Sequence, residues 1–308
     1  MSKHPTLLEH FRSFAYQNTI KDFQVALEYF AVFGGTGWDI DTSKPIEKLI
    51  EEKILSNYAP LHKTMTRYTH NNPIYHLLLS LVASGVEHEH DAFKKAKIGK
   101  DKGEEAIDYL EQKSLITFDL SLEKPLDEKD DKSDRLLFRL PFMRFWFAFV
   151  SPSYQNIEKE NFNECLLHYK KVQAHFPILL SNLLIRDLVA QSLRKKFEDD
   201  PIVSIGSYYD KKNYIPILAK RKSGKMLAGA CKYAKIPAKM LMIQNLKTLC
   251  EKSELKIENI ILFSKNGFDT ELENMKDEKL SLFSEKEISS LLDNLTKKDL
   301  LIYKNKKY

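Results

Sequence analysis

The chain has 308 residues, 43% of them hydrophobic and 30% charged, with a formal net charge of +5. That balance excludes wholesale disorder, and the length suits two cores at roughly 100–200 residues per domain. A mildly basic surplus serves solubility as well as a polyanionic partner, so the placement of charge matters more than its sum.

Met1 to Pro5 is polar and leads into an amphipathic stretch without a signal-peptide core. Residues 5–33 predict two helices, with Leu7, Leu8, Phe11 and Phe14, then Phe23, Ala26, Leu27 and Phe30, at helical spacing. Gly34-Gly35 breaks the pattern. Lys44-Pro45 precedes a further amphipathic helix carrying Ile46, Leu49, Ile50 and Ile54 on one face.

Pro73 opens a helix through Leu78 and Leu81 that closes at Ser84-Gly85. A second short helix covers about 90–98. Gly99 to Gly103 reads as a turn, and a third helix runs from Glu104 to about Lys113. Leu115 to Leu120 and Leu136 to Leu140 predict two strands around a charged loop, Asp127 to Asp134. Three helices and a hairpin are the pattern of a winged helix-turn-helix. Lys94, Lys95, Lys97, Lys100 and Lys102 could neutralise phosphates there. The third helix, the usual reader of the major groove, carries Glu104, Glu105, Asp108 and Glu111, which repel phosphates. A winged helix that contacts protein instead is the competing reading.

Phe142, Phe145, Trp146, Phe147 and Phe149 crowd a joint between Pro141 and Pro152, and Phe145, Trp146 and Phe149 are expected to be buried between the two halves of the chain. The most apolar run, Phe145 to Val150, is far shorter than the roughly 18 residues of a membrane helix, so no membrane partner is expected. Helices follow over about 157–198. After Pro201 the periodicity changes: Ile202 to Ile205, Tyr214 to Ala219, Lys225 to Cys231 and Asn259 to Ser264 predict strands, with a helix over about 237–252 and another over 286–294. Strands with a helical crossover imply a mixed second domain.

Lys211, Lys212, Lys220, Arg221, Lys222, Lys225, Lys232, Lys235, Lys239 and Lys247 fall in one window, 211–247, that contains no Asp or Glu. Such a run predicts a surface facing a polyanion, against the alternative of a solvated lysine face. Ser223-Gly224-Lys225 lacks the upstream glycine and the following helix of a phosphate-binding loop. His88 and His90 have no further ligand nearby in sequence and read as part of a solvated turn rather than a metal site. Cys165, Cys231 and Cys250 are odd in number and widely spaced. Neither a disulfide framework nor a zinc site follows, and reduced thiols of a cytoplasmic protein are expected.

Leu140-Pro-Phe-Met-Arg-Phe-Trp-Phe-Ala-Phe-Val resembles the Asp-Pro-Phe-Leu-Arg-Phe-Trp-Phe-Arg-Phe-Val signature of the archaeal-type ATPase family, seen also in bacteria. In that family the signature follows a winged helix and opens a carboxy-terminal domain similar to the PD-(D/E)XK nuclease fold. Ile205-Gly-Ser-Tyr-Tyr-Asp210 is similar to its Ile-Gly-x-Trp-Trp strand, Phe263-Ser-Lys-Asn-Gly-Phe268 to its Phe-Ser-x-x-Gly-Phe element, and Phe33-Gly-Gly35 to the Gly-Gly-x-Pro turn of its helical lid. The resemblance implies a lid-like region over 1–72, a winged helix with its aromatic joint over 73–150, and a nuclease-like domain over 151–308. The implied class is α+β: a helical amino-terminal region with a winged helix, then a mixed α/β restriction-endonuclease-like domain.

Two departures shape the functional expectation. The family's nucleotide-binding core has no counterpart in the sequence. The metal-binding acid of its Glu-Ile-Asp strand is matched by Pro216, and the glutamate of its Gly-Glu-x-Lys strand by Ala230, so only Lys232 survives. The Phe-Glu pair of the preceding helix falls near Ile185-Arg186. Phosphodiester cleavage on this fold requires carboxylates around a divalent ion, which these side chains cannot hold. The leading expectation is therefore a pseudoenzyme with no catalytic residue, metal or cofactor, which binds DNA with low sequence specificity or serves as a scaffold. The alternatives are a protein-interaction subunit of a separate ATPase, and a divergent metal nuclease built on Asp210.

Overall fold

Polar caps and spaced apolar residues lay down the amino-terminal helices. Thr6 and Glu9 form a reciprocal capping box that opens α1, Leu7–Gln17. Asp22 accepts from the Val25 amide and opens α2, Phe23–Phe33. Their apolar faces meet edge to face, with the Phe11 ring 5.4 Å from Phe23 and 5.2 Å from Phe30. The computed structural model describes residues 4–123 and 134–301. Most of the predicted charged loop and the lysine-rich end, residues 302–308, lie outside them. The described residues form two units, the first from 4–118, 135–177 and 294–301, the second from 119–123, 134 and 178–293.

In the first unit, α3, Ile46–Ile50, runs on as a π-helical turn, Glu51–Leu55, into α4, Tyr58–Thr69. The sequence did not mark α4, whose threonines and early Pro60 disguise it; a proline is tolerated in a first turn, where amides lack helical partners. Asn72 caps α5, Pro73–Ala83. Then come α6, Glu89–Ala96, α7, Lys100–Gln112, and the hairpin of β1, Ile116–Asp119, with β2, Arg135–Phe138. A bridge from His88 to Arg135 adds a third strand position between α5 and α6. This is the order of a winged helix. The expected turn over 99–103 is instead the first turn of α7. Gly103 lies inside the helix, at a position where a Cβ would come within 2.6 Å of the Phe93 ring.

The aromatic joint forms α8, Pro141–Phe145, and a second π-helical turn, Trp146–Val150; α9, Tyr154–Ile157, and α10, Asn163–Val172, follow. Phe145, Trp146 and Phe149 are buried, as expected of the joint. Their ring partners Tyr58, Tyr169 and Phe176 belong to the first unit itself. The Arg144 guanidinium stacks 4.1 Å over Phe176 and donates to its carbonyl at 2.8 Å, and burial draws its pKa down to about 10. The two motifs of the family resemblance also touch. Gly35 adopts a positive φ of 89°, and a Cβ there would meet Leu140 at 2.8 Å.

The second unit begins with α11, Ile178–Lys196, then β3, Ile202–Tyr209, β4, Tyr214–Arg221, and β5, Met226–Lys232. It continues with α12, Leu241–Lys252, β6, Ile257–Ser264, α13, Thr270–Asn274, β7, Leu280–Ser284, and α14, Glu285–Ser289. The five strands lie in chain order. The β3–β4–β5 meander is antiparallel, and the β5–β6–β7 pairings are parallel. The fold is therefore α+β, a helical amino-terminal region followed by a mixed sheet with helices. β7 escaped the sequence because Leu280 and Phe283, three apart, are its buried residues, so it carries no period-two signal. Tyr208, Ile215, Leu218, Ala228, Leu246 and Leu262 centre the core beneath α12. The three cysteines are free thiols, and burial pushes Cys165 and Cys231 up to about 12 and Cys250 up to about 11, which makes them poor nucleophiles.

Candidate nucleic-acid interface

In the winged helix, Lys94 and Lys95 stand exposed in the last turn of α6, where cations complement the helix dipole. Lys97 closes that helix in the left-handed region, at φ 56°, and is exposed too. Lys100, at the start of α7, lies 3.6 Å from Glu104, a solvent-exposed pair. Glu105 and Asp108 are also exposed along α7. The helix in the reading position therefore shows solvent a mostly acidic face, and the lysines sit at its edge. His88 is taken up in the bridge to Arg135, and His90 tilts against Phe93.

The lysine window divides in two. β4 spans eight residues, so the turns at its ends lie on the order of 20 Å apart at about 3.3 Å per residue. Lys211 and Lys212 are exposed in the turn before β4, and Lys222 and Lys225 in the turn after it. Antiparallel pairing of Ile217 with Gly229 carries Lys232, at the end of β5, back toward the first turn. Exposed Lys235 follows three residues later.

Acids from outside the window gather around the second turn. Lys220 pairs with Glu123 at 2.8 Å, and Lys225 with Glu258 at 3.2 Å. Arg221 lies 3.0 Å from Glu258 and 3.3 Å from Asp200, the latter contact not aligned as a hydrogen bond. Its guanidinium stacks 4.5 Å over Phe197, and the residue is 8% exposed. Asp200 also accepts from the Ser223 amide and hydroxyl, which fastens the turn. Arg221, expected on the polyanion-facing surface, is thus buried and paired with two carboxylates. Lys220 and Lys225 remain at the surface with part of their charge offset, and Lys222 is exposed there without a salt-bridge partner among the described residues.

The nuclease-like positions hold no carboxylate set. Pro216 has no amide to donate, and the β4–β5 ladder runs only from Ile217 to Lys220. Lys232 donates to the Pro237 carbonyl at 2.8 Å, which steadies the loop after β5. Arg186 pairs with Asp119 at 2.8 Å, and Asp119 also accepts from the Ser207 hydroxyl. Asp210 is engaged in its own turn, accepting from the Lys212 and Asn213 amides at 2.8 Å each and from the Tyr208 hydroxyl at 2.7 Å. Desolvation raises its pKa, but the Asn213 side chain and these donors outweigh that and hold the carboxyl well below the usual range. Among the described residues no group of three or more His, Cys, Asp or Glu is placed to hold a metal ion. The residues present do not fit a divalent cation at Lys232.

One charged residue of this unit went unnoticed in the sequence. Asp187 follows Arg186 on α11, and burial pushes its carboxyl up to about 6 against the pull of Arg186 and Arg194. The available signal was an acid set directly before the apolar run Leu188-Val189-Ala190.

Residues 146–247 match the family DUF234, described as archaeal and bacterial proteins of unknown function. No curated protein and no solved structure matches the chain. The match opens inside the aromatic signature and ends within α12, so it takes in α11 and the whole β3–β4–β5 meander. It covers about a third of the chain and is consistent with the carboxy-terminal region associated with archaeal-type ATPases.

Proposed function

We propose that the chain is a non-catalytic protein that grips a nucleic-acid backbone, with low sequence specificity, through the end of its sheet carrying Lys211, Lys212, Lys232 and Lys235. The observation that carries the reading is the make-up of that end. Three of its lysines are exposed, its nearest acid is held by its own turn, and the positions that would ligate a metal in a nuclease are Pro216 and Ala230. Side chains of that kind neutralise phosphates but cannot activate water through an ion. Fluorescence anisotropy with a short DNA duplex tests the proposal. Lys211→Glu with Lys212→Glu should weaken binding at least tenfold at about 50 mM salt, since phosphate contacts dominate such affinities. Affinity that is absent in the natural protein, or unchanged by the double substitution, rejects it. Magnesium-dependent nicking that vanishes with Asp210→Ala would restore the nuclease reading.

A second reading has its own observation. The acidic outer face of α7 favours a winged helix that contacts protein, as a subunit working with a separate ATPase would need. Lys94→Glu with Lys95→Glu then leaves DNA affinity untouched. A loss comparable to that of the sheet variants would assign the winged helix to DNA.

A further inference from the structure

The end of the sheet that carries Lys211, Lys212, Lys232 and Lys235 also carries exposed apolar side chains. Tyr214 opens β4 there and is 38% exposed. Antiparallel pairing with β4 brings the end of β5 to the same level, and parallel pairing puts the end of β6 beside it. Ile236, 60% exposed, lies in the loop that follows β5, and Leu241, 62% exposed, is the first residue of α12. Single exposed apolar residues are ordinary on a protein surface. Three at one end of a sheet, set among lysines, make a mixed surface.

The loop that carries Ile236 is tied down on both sides. The Lys232 ammonium donates to the Pro237 carbonyl at 2.8 Å, and the Asn266 side-chain amide to the Ala234 carbonyl at 2.8 Å. Ala238 is buried and bridges Phe268, its amide donating to the Gly267 carbonyl and its carbonyl accepting from the Asp269 amide. A side chain presented by a fixed loop loses little freedom when it meets a ligand. Asp269 is engaged in capping α13, accepting from the Leu272 amide at 3.0 Å. Exposed Glu271 and Glu273 follow on α13 and would repel a polyanion laid across that side.

Lysines bind phosphates whether or not the bases are paired. Tyrosine, isoleucine and leucine gain nothing from the hydrated backbone of a duplex, whose base faces are stacked inside. They can pack on the faces of unpaired bases. Charge alone favours the duplex, with its denser phosphates at about one per 1.7 Å of axis. A preference for the single strand would therefore report the apolar groups.

We propose that this end of the sheet takes single-stranded rather than double-stranded nucleic acid, with the lysines on the phosphates and Tyr214, Ile236 and Leu241 against the bases. The inference rests on the backbone-gripping reading of the same lysines. Fluorescence anisotropy compares a duplex of about 20 base pairs with one of its own strands, free of self-pairing, at about 50 mM salt. The single strand should bind at least tenfold more tightly, as roughly one stacked base would give. Ile236→Ser with Leu241→Ser, at positions exposed enough to spare the core, should lower the ratio of the two affinities at least fivefold, and Tyr214→Ala should lower it further. Both oligonucleotides report on the same preparation, so a loss of folded protein leaves that ratio unchanged. A duplex bound as tightly as its strand overturns the inference and leaves the backbone-gripping reading intact, whereas failure to bind either removes both. A ratio that survives the three substitutions also overturns it. So does capture by phosphatidylserine vesicles without preference for the single strand, which would assign the apolar groups to a lipid surface.

Discussion

Asp187 and Arg221 show how far a residue's role departs from its letter. Arg221 sits in the most basic part of the sequence, yet it is enclosed by Asp200, Glu258 and the Phe197 ring. Removing it would leave two carboxylates facing each other, which makes it a poor probe of ligand binding. Asp187 is the converse, an acid that the fold disfavours. Its carboxyl is raised to about 6, chiefly by burial, so the native chain holds a proton that the unfolded chain releases near pH 4. Between those values the folded state binds more protons, and stability must fall as pH rises from about 4 to 6. Above that range the penalty is fully present. Asp187→Asn should therefore stabilise the second unit at pH 7 by about 1–2 kcal/mol, and flatten its urea midpoint between pH 4 and 6.5. Far-UV circular dichroism is the appropriate probe, because both tryptophans lie in the first unit. Equal midpoints at pH 7 would mean that Asp187 is solvated in solution.

Elements were legible in the sequence wherever burial followed a simple period. The stripes of α1, α2 and α5 and strands β3 to β6 announce themselves. What the sequence hid depended on partners far along the chain. Lys220 meets Glu123 across 97 positions, so a window free of acids in sequence is not free of them in space. The first turn of α7 was hidden by a nearer partner. Two glycines suggest a loop, yet position 103 is helical, and it is glycine because only a missing side chain admits the Phe93 ring. Two effects compete at that position. Alanine would gain about 1 kcal/mol of helix propensity over glycine. Its Cβ, 2.6 Å from a ring that is 4% exposed, would force a repacking that typically costs 1–3 kcal/mol. Gly103→Ala should lower the tryptophan-monitored denaturation midpoint of the first unit, and a higher midpoint would show that the Phe93 ring yields freely.

At the scale of the whole molecule, the small net charge of +5 conceals an uneven distribution, and salt dependence reads that distribution directly. If all ten cations of the 211–247 window met phosphates, the logarithm of affinity would fall against the logarithm of salt with a slope near −9. The structure argues for far fewer. Lys220, Arg221 and Lys225 already face carboxylates, Lys222 lies on the order of 20 Å from the opposite turn, and the acids of α7 oppose contact through the winged helix. Four lysines at one end of the sheet give a slope of about −3 to −4, and the Lys211→Glu, Lys212→Glu protein should lose about two units of it. Binding of that kind is weak at physiological salt, because each released counterion contributes only through dilution, and a lone copy of the chain would hold DNA transiently. A measured slope near −9 would require the ion pairs around Asp200 and Glu258 to open on contact. A slope near zero would move the interface off phosphates altogether and leave the protein-contact reading of the winged helix standing.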